Sequence, residues 1–246
     1  MRVLVLVINF GNGNQAYCQR LIDTLCDIKG YAFSIRVFSD APTTLDNCEE
    51  ILITTRTGFN FIEGLYDYLS SVDLEQWDYV LFTENDNLFT QDNLDTFFKY
   101  KQADDFAIGF LRYSELDGVK YIIDMHDTFN VEEIRDGNFV RFDSCHQGSW
   151  FLPTRTVKRF LLNRPAPCQE LVVNGKCIES GENKMSNFYY SDKFPGSRDG
   201  VKRYISLVDL EKLLVHHQSD KHIDHYCKSL PLRDLLRFRD KIIGEK

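Results

Sequence analysis

Trp77-Asp78-Tyr79-Val80-Leu81-Phe82-Thr83-Glu84-Asn85-Asp86-Asn87-Leu88-Phe89 is an apolar run, short enough for a buried strand, that ends abruptly in two acids spaced i, i+2. Along an extended chain, residues i and i+2 point the same way. The spacing therefore predicts that Glu84 and Asp86 present two carboxylates to one point at the carboxyl end of a strand. Open α/β sheets hold their ligands there. Two neighbouring anions repel each other and attract a hard divalent cation. The pattern points to a metal site able to grip a diphosphate. The plainer alternative is a polar strand end with no ligand.

Upstream, strand and helix patterns alternate. Val3–Ile8 is a continuous apolar run, as in a strand buried on both faces, and Asn9-Phe10-Gly11-Asn12-Gly13-Asn14 is a turn. Tyr17, Leu21, Leu25 and Ile28 then follow helical spacing. Phe33–Phe38 and Ile51–Thr54 read as strands, and Phe61, Leu65 and Leu69 mark a second helix. Tyr79–Phe82 is the strand that delivers the acids, with Leu94–Tyr100 helical after it. This rhythm predicts an α/β fold with a mainly parallel, Rossmann-like sheet flanked by helices.

After residue 105 the pattern changes. Phe106–Phe110, Lys120–Ile123 and Asn138–Phe142 are shorter strand candidates forming a smaller, mixed sub-region, and Thr154–Leu162 is helical. Loops dominate residues 163–200, around a helix near Glu182–Ser191. The reading is a single domain, 1–225, with halves 1–105 and 106–225, followed by a C-terminal amphipathic helix within 226–246. Leu232–Lys246 carries Leu232, Leu235, Leu236, Phe238, Ile242 and Ile243 among five basic residues. A basic amphipathic helix can lie on an anionic membrane surface. The favoured reading is that it closes over the domain's own core.

Composition narrows the function classes. The 246 residues, 43% hydrophobic and 27% charged, describe an ordinary globular chain. A net charge of -8 provides no broad basic field for nonspecific nucleic-acid binding. Seven cysteines, an odd number without a C-x-x-C pair, argue against a zinc site and exclude a complete disulfide framework. The N-terminal run is too short for a signal-peptide core, and no apolar stretch approaches the ~20 residues of a membrane helix. The expectation is a cytoplasmic, reducing compartment with free thiols.

Three other patterns compete for the chemistry. His216 and His217 follow Leu213-Leu214-Val215. Neutral imidazole suits Mn²⁺-like ions better than Mg²⁺, and adjacent residues on an extended segment face opposite ways, so one of the two can reach a metal. Gly11-x-Gly13-x-x-Ala16 follows a strand and opens a helix, and Asp40 ends the next strand. That approaches a dinucleotide fingerprint and supports an NAD(P)-dependent oxidoreductase as the second hypothesis. The same loop and Asp40 serve equally for the base and ribose of a nucleotide-sugar. Cys145-His146-Gln147-Gly148-Ser149-Trp150 lacks a G-x-S-x-G elbow, and Gly148 before Trp150 better suits a close-approach turn laying an aromatic face on a sugar.

Taken together, these residues resemble a type-A-fold (GT-A) nucleotide-sugar-dependent glycosyltransferase. Thr83-Glu84-Asn85-Asp86 stands where that family carries its D-x-D-like motif. Thr57-Gly58-Phe59-Asn60 is similar to the segment that touches nucleotide and sugar, and His146–Leu152 to the turn-and-helix lining the acceptor side. Gly181-Glu182-Asn183-Lys184 resembles the acidic helix start that can carry a catalytic base, and Leu214-Val215-His216-His217 the late histidine that completes metal binding.

The resemblance implies a nucleotide-sugar-binding half, 1–105, and an acceptor half, 106–225. It implies a hexosyl- or pentosyltransferase with a nucleoside-diphosphate sugar such as a UDP-sugar as donor, and a glycan or glycoprotein hydroxyl as acceptor. Asn9, Phe10, Gly11 and Asp40 would hold base and ribose, Arg56 a phosphate, and Gly58, Asn60, Asn85, Gly148 and Trp150 the rest of the donor. Mn²⁺ or Mg²⁺ would be held by Glu84, Asp86 and His217, with Lys202 and Arg203 adding positive charge over the leaving group. In an inverting reaction Glu182, or else Glu179, would be the base. The first acid is Glu where the family has Asp, which makes Asp86 the firmer ligand. A third hypothesis is a noncatalytic nucleotide- or carbohydrate-binding domain.

Overall fold

Val3, Val5 and Val7 point to one face of their strand and Leu4 and Leu6 to the other, and all five are fully buried. A strand apolar on both sides needs cover on both sides, which only the interior of a helix-flanked sheet supplies. The computed structural model describes residues 1–10, 15–53, 61–100, 108–122, 131–135, 139–142, 149–162, 171–173, 176–179, 204–206, 209–219 and 230–244.

Strand β1 (Arg2–Asn9) lies between β2 (Ala32–Ser39) and β4 (Tyr79–Glu84), parallel to both, and β3 (Glu50–Ile53) extends the sheet beyond β2. On the other side of β4 come β11 (Ser149–Pro153) and β6 (Ile108–Gly109), giving the order β3-β2-β1-β4-β11-β6. Helices α1 (Gln15–Asp27) and α3 (Gln91–Tyr100) cover the valine face of β1, through Cys18, Leu21, Ile22, Leu25, Leu94 and Phe97. Helices α2 (Phe61–Ser71) and α4 (Thr154–Leu162) cover the leucine face, through Leu65, Tyr66, Leu69, Val157 and Phe160. The i, i+3, i+4, i+7 spacing of Cys18, Leu21, Ile22 and Leu25 is the stripe that lets α1 bury one side along its whole length.

The fold is α/β as the sequence predicts, but the sheet is mixed. β11 runs antiparallel to both β4 and β6. Of the His146–Leu152 segment expected to form a turn-and-helix lining an acceptor site, the described part belongs to an internal strand, Ser149–Pro153, with Trp150 in register between Phe82 and Gly109. The physical reason is apolar content: Phe151 and Leu152 are fully buried, one in each core cluster, and the helix begins only at Thr154.

A second sheet, of five strands, forms from the shorter segments. It comprises β5 (Asn87–Leu88), β7 (Leu111–Leu116), β8 (Val119–Ile122), β15 (Leu214–His217) and β16 (Leu230–Pro231), in the order β16-β8-β7-β15-β5. Strands β9 (Val131–Arg135), β10 (Phe139–Phe142) and β14 (Tyr204–Ser206) make a three-stranded antiparallel sheet, and β12 (Leu171–Val173) pairs with β13 (Lys176–Glu179). The expected helix near Glu182–Ser191 lies outside the described residues.

Helix α5 (Leu232–Gly244) answers the question raised by its basic residues. Leu232 and Leu235 are buried in the same core cluster as α1 and α3, with Leu236 packed against it. The Leu232–Leu236 part of its apolar stripe packs on the chain's own core. Among the described residues, no helix is long and apolar enough to cross a membrane. Cys18, Cys26 and Cys48 are free thiols, and burial pushes the Cys18 thiol up to about 12, which keeps it protonated and unreactive.

Candidate metal centre

Strand β4 carries Glu84 as its last residue, and Asn85 and Asp86 then form a turn. The two acids therefore meet through a two-residue bend rather than through the i, i+2 alternation of an extended chain expected from the sequence. The turn is fixed at both ends. The Asn85 backbone N–H donates to the Ile8 carbonyl at 2.9 Å, and the Asp86 carbonyl accepts from the Gln218 N–H at 2.8 Å.

Beyond the turn the chain leaves the main sheet and enters the second. Strand β5 pairs antiparallel with β15, which sets His217 opposite Asn87 and His216 opposite Leu88. This ladder carries a histidine from the far end of the sequence to the acids. His217 Nε2 lies 2.9 Å from Asp86 Oδ2, and ligand atoms of Glu84, Asp86 and His217 all lie within 4.8 Å of one another.

The other ring nitrogen decides the chemistry. His217 Nδ1 is 2.9 Å from the backbone carbonyl of Ser219, which can only accept, so Nδ1 carries a proton and donates it. Ser114 Oγ, 3.3 Å from Nδ1 and itself donating to the Ser219 carbonyl at 3.0 Å, closes the same small network. A neutral imidazole in this tautomer turns the Nε2 lone pair toward Asp86. Two ligands bound at about 2.1 Å to one ion and at right angles to it are about 3 Å apart, so the observed contact suits shared coordination. It would equally suit an imidazolium–carboxylate pair. The second carboxylate, Glu84, lies within the same cluster of possible ligand atoms. The donor set of two carboxylates and one imidazole fits Mn²⁺ well and Mg²⁺ less well.

Arg112 was not foreseen. It is buried on β7 and forms an ion pair with Glu84. Parallel pairing of β7 with β15 sets Arg112 beside Val215 and Tyr113 beside His216. Alternation along both strands then places Arg112, Ser114 and His217 on one face, and Tyr113 and His216 on the other. There the Tyr113 and His216 rings stack, with centroids 5.1 Å apart, and burial pulls the His216 imidazole below its ordinary value. Sequence reading ended the strand at Phe110, so the period-two pattern Arg112-x-Ser114 went unread.

Two of the residues expected to touch a nucleotide, Asn9 and Asn85, hydrogen-bond to each other. The Asn85 side-chain amide donates to Asn9 Oδ1 at 2.7 Å, and the Asn9 amide donates to Ser39 Oγ at 3.3 Å. This buried chain ties the ends of β4, β1 and β2 together beneath the acids. Asn85→Ala is expected to lower unfolding stability by about 1–3 kcal/mol, since it leaves a buried carbonyl oxygen of Asn9 unsatisfied. A urea titration measures it.

Phe10 is half-buried against the leucine-face core, and Asp40 is exposed just beyond the end of β2. Glu179 ends β13, in register with Leu171. Gly11, Gly13, Arg56, Gly58, Asn60, Gly148, Glu182, Lys202 and Arg203 lie outside the described residues.

The opposite facing of the two histidines gives a direct expectation. His217→Ala should raise the Mn²⁺ concentration for half-saturation by roughly 10-fold or more, while His216→Ala leaves it nearly unchanged. Metal titration followed by Mn²⁺ electron paramagnetic resonance reads both. Compared with known proteins, the chain matches no family model, and no curated protein is significantly similar to it.

Proposed function

We propose that the chain is a divalent-metal-dependent glycosyltransferase, moving a sugar from a nucleoside-diphosphate sugar to a hydroxyl of a glycan or glycoprotein. One observation carries the reading. Glu84, Asp86 and His217 converge at the carboxyl end of β4, next to β1, where the strand order reverses between β2 on one side and β4 on the other. That crevice is where open α/β sheets bind ligands. The type-A fold is the finer form of the α/β architecture that this proposal requires.

Asp86 and His217 would hold the cation, with Glu84 beside them. A bound Mn²⁺ or Mg²⁺ ion would supply neutralisation of the charge on the departing diphosphate. The Asn85–Asn9–Ser39 chain keeps the acid-bearing turn in place, and Asp40, exposed just beyond the adjoining strand, would take a ribose hydroxyl. Glu182 is the first choice and Glu179 the second to take the acceptor proton if the reaction inverts. Three free cysteines accord with a cytoplasmic location.

A thermal-shift screen separates this function from its rivals. Stabilisation by UDP or GDP only when Mn²⁺ or Mg²⁺ is present supports the transferase. Stabilisation by NAD(P) without metal would instead favour the oxidoreductase built on Gly11, Gly13 and Asp40. Metal-dependent nucleotide binding with no turnover of any donor would leave a binding domain.

A further inference from the structure

We propose that Arg112 is a positioning residue that cancels the charge of Glu84, so that the centre holds a divalent cation firmly only together with a diphosphate. The inference rests on the metal-dependent reading above. Arg112 is 4% exposed and reaches Glu84 from β7, a strand of the second sheet, whereas Glu84 ends a strand of the first. A guanidinium is charged at every relevant pH, so its field on the centre is permanent. The two carboxylates and the one guanidinium sum to a single net negative charge.

A hard dication with so little protein charge to meet it keeps most of its water. A diphosphate brings several negative charges and two or more oxygens, which completes the coordination. Arg112 also fixes the direction of the Glu84 carboxylate, leaving Asp86 and His217 as the direct protein ligands. An uncompensated acid pair would bind the ion tightly in the absence of nucleotide.

The test is Mn²⁺ binding by water-proton relaxation on the full chain, with and without UDP. Wild type should bind Mn²⁺ weakly alone and roughly 10-fold or more tightly with UDP. Arg112→Met should tighten binding of Mn²⁺ alone by roughly 10-fold or more and shrink the effect of UDP, because a buried positive charge close to the ion is gone. A merely structural role predicts the reverse, since disorder weakens a site. Arg112→Lys, which keeps the charge, should stay near wild type.

Mn²⁺ binding by Arg112→Met that is no tighter than wild type would overturn the inference. Should Arg112→Met fail to fold, the double variant Glu84→Gln/Arg112→Gln replaces the ion pair by a neutral hydrogen-bonded one. It should hold Mn²⁺ within roughly 3-fold of wild type, because coupled changes in one pair largely cancel. Loss of Mn²⁺ from that variant would make Glu84 a direct ligand and overturn the proposal. Wild type that binds no Mn²⁺ under either condition would sink the metal-dependent function as well. Normal metal binding that the Arg112 variants do not move would sink only the charge-cancelling role.

Discussion

Asp86→Asn is expected to lower turnover by roughly 10²–10³-fold, because it removes the charge that most directly opposes the cation holding the diphosphate. The substitution is nearly isosteric. Its effect on the fold should be small for a specific reason: with His217 Nδ1 donating to the Ser219 carbonyl, the neutral ring offers Nε2 as an acceptor. The new amide can donate to it where the carboxylate oxygen now lies 2.9 Å away. The backbone bond from Gln218 to the carbonyl of residue 86 is untouched. Thermal melting should therefore stay near wild type while Mn²⁺-dependent stabilisation by UDP disappears. Wild-type rate and metal dependence in this variant would remove Asp86 from the chemistry.

Glu182→Gln is expected to lower turnover by roughly 10²-fold or more with donor and metal affinity nearly unchanged, since a general base acts chiefly on the transition state. The motive is the sequence pattern alone, in which this acid would open the helix expected near Glu182–Ser191. Glu179→Gln is the matched comparison. Glu179 closes the short β12–β13 ladder, and its variant should retain more activity. If both variants turn over normally, either the base is another acid, with Asp124, Asp127 and Asp143 next in line, or the enzyme is retaining. The anomeric configuration of the product, read by NMR, distinguishes the two.

Local pattern carried the first half of the fold. Val3–Ile8 announces a doubly covered strand because its residues are apolar without interruption, and the structure extends it by only one residue at each end, to Arg2–Asn9. The strand that delivers the acids was legible for the same reason. Its final geometry was not, because whether Asn85 and Asp86 continue the strand or bend depends on bonds to Ile8 and Gln218, both remote in sequence.

The failures share that cause. His146–Leu152 resembles a turn-and-helix, and nothing local says that its Ser149–Leu152 part inserts antiparallel beside β4. Arg112 carries no local signal of its role, which appears only once β7 pairs with β15 and the side chain meets Glu84. The histidine is the intermediate case. Adjacent facing told that one of His216 and His217 could reach the acids, but it took the β5–β15 register to select His217. Charge partners across two sheets are properties of topology, and a single sequence carries them only as residue types without addresses.

The most direct measurement is release of nucleoside diphosphate from a panel of nucleotide-sugars incubated with the purified chain, with Mn²⁺, with Mg²⁺ and with chelator. Slow hydrolysis of a donor needs no acceptor, so an unknown acceptor does not obscure the result. The metal centre at the end of β4 leads us to expect that at least one donor is hydrolysed with Mn²⁺ or Mg²⁺, that chelator abolishes the release, and that Asp86→Asn does the same. Release that continues in chelator and in Asp86→Asn, or no donor hydrolysed while NAD(P) stabilises the chain without metal, would contradict a metal-dependent glycosyltransferase.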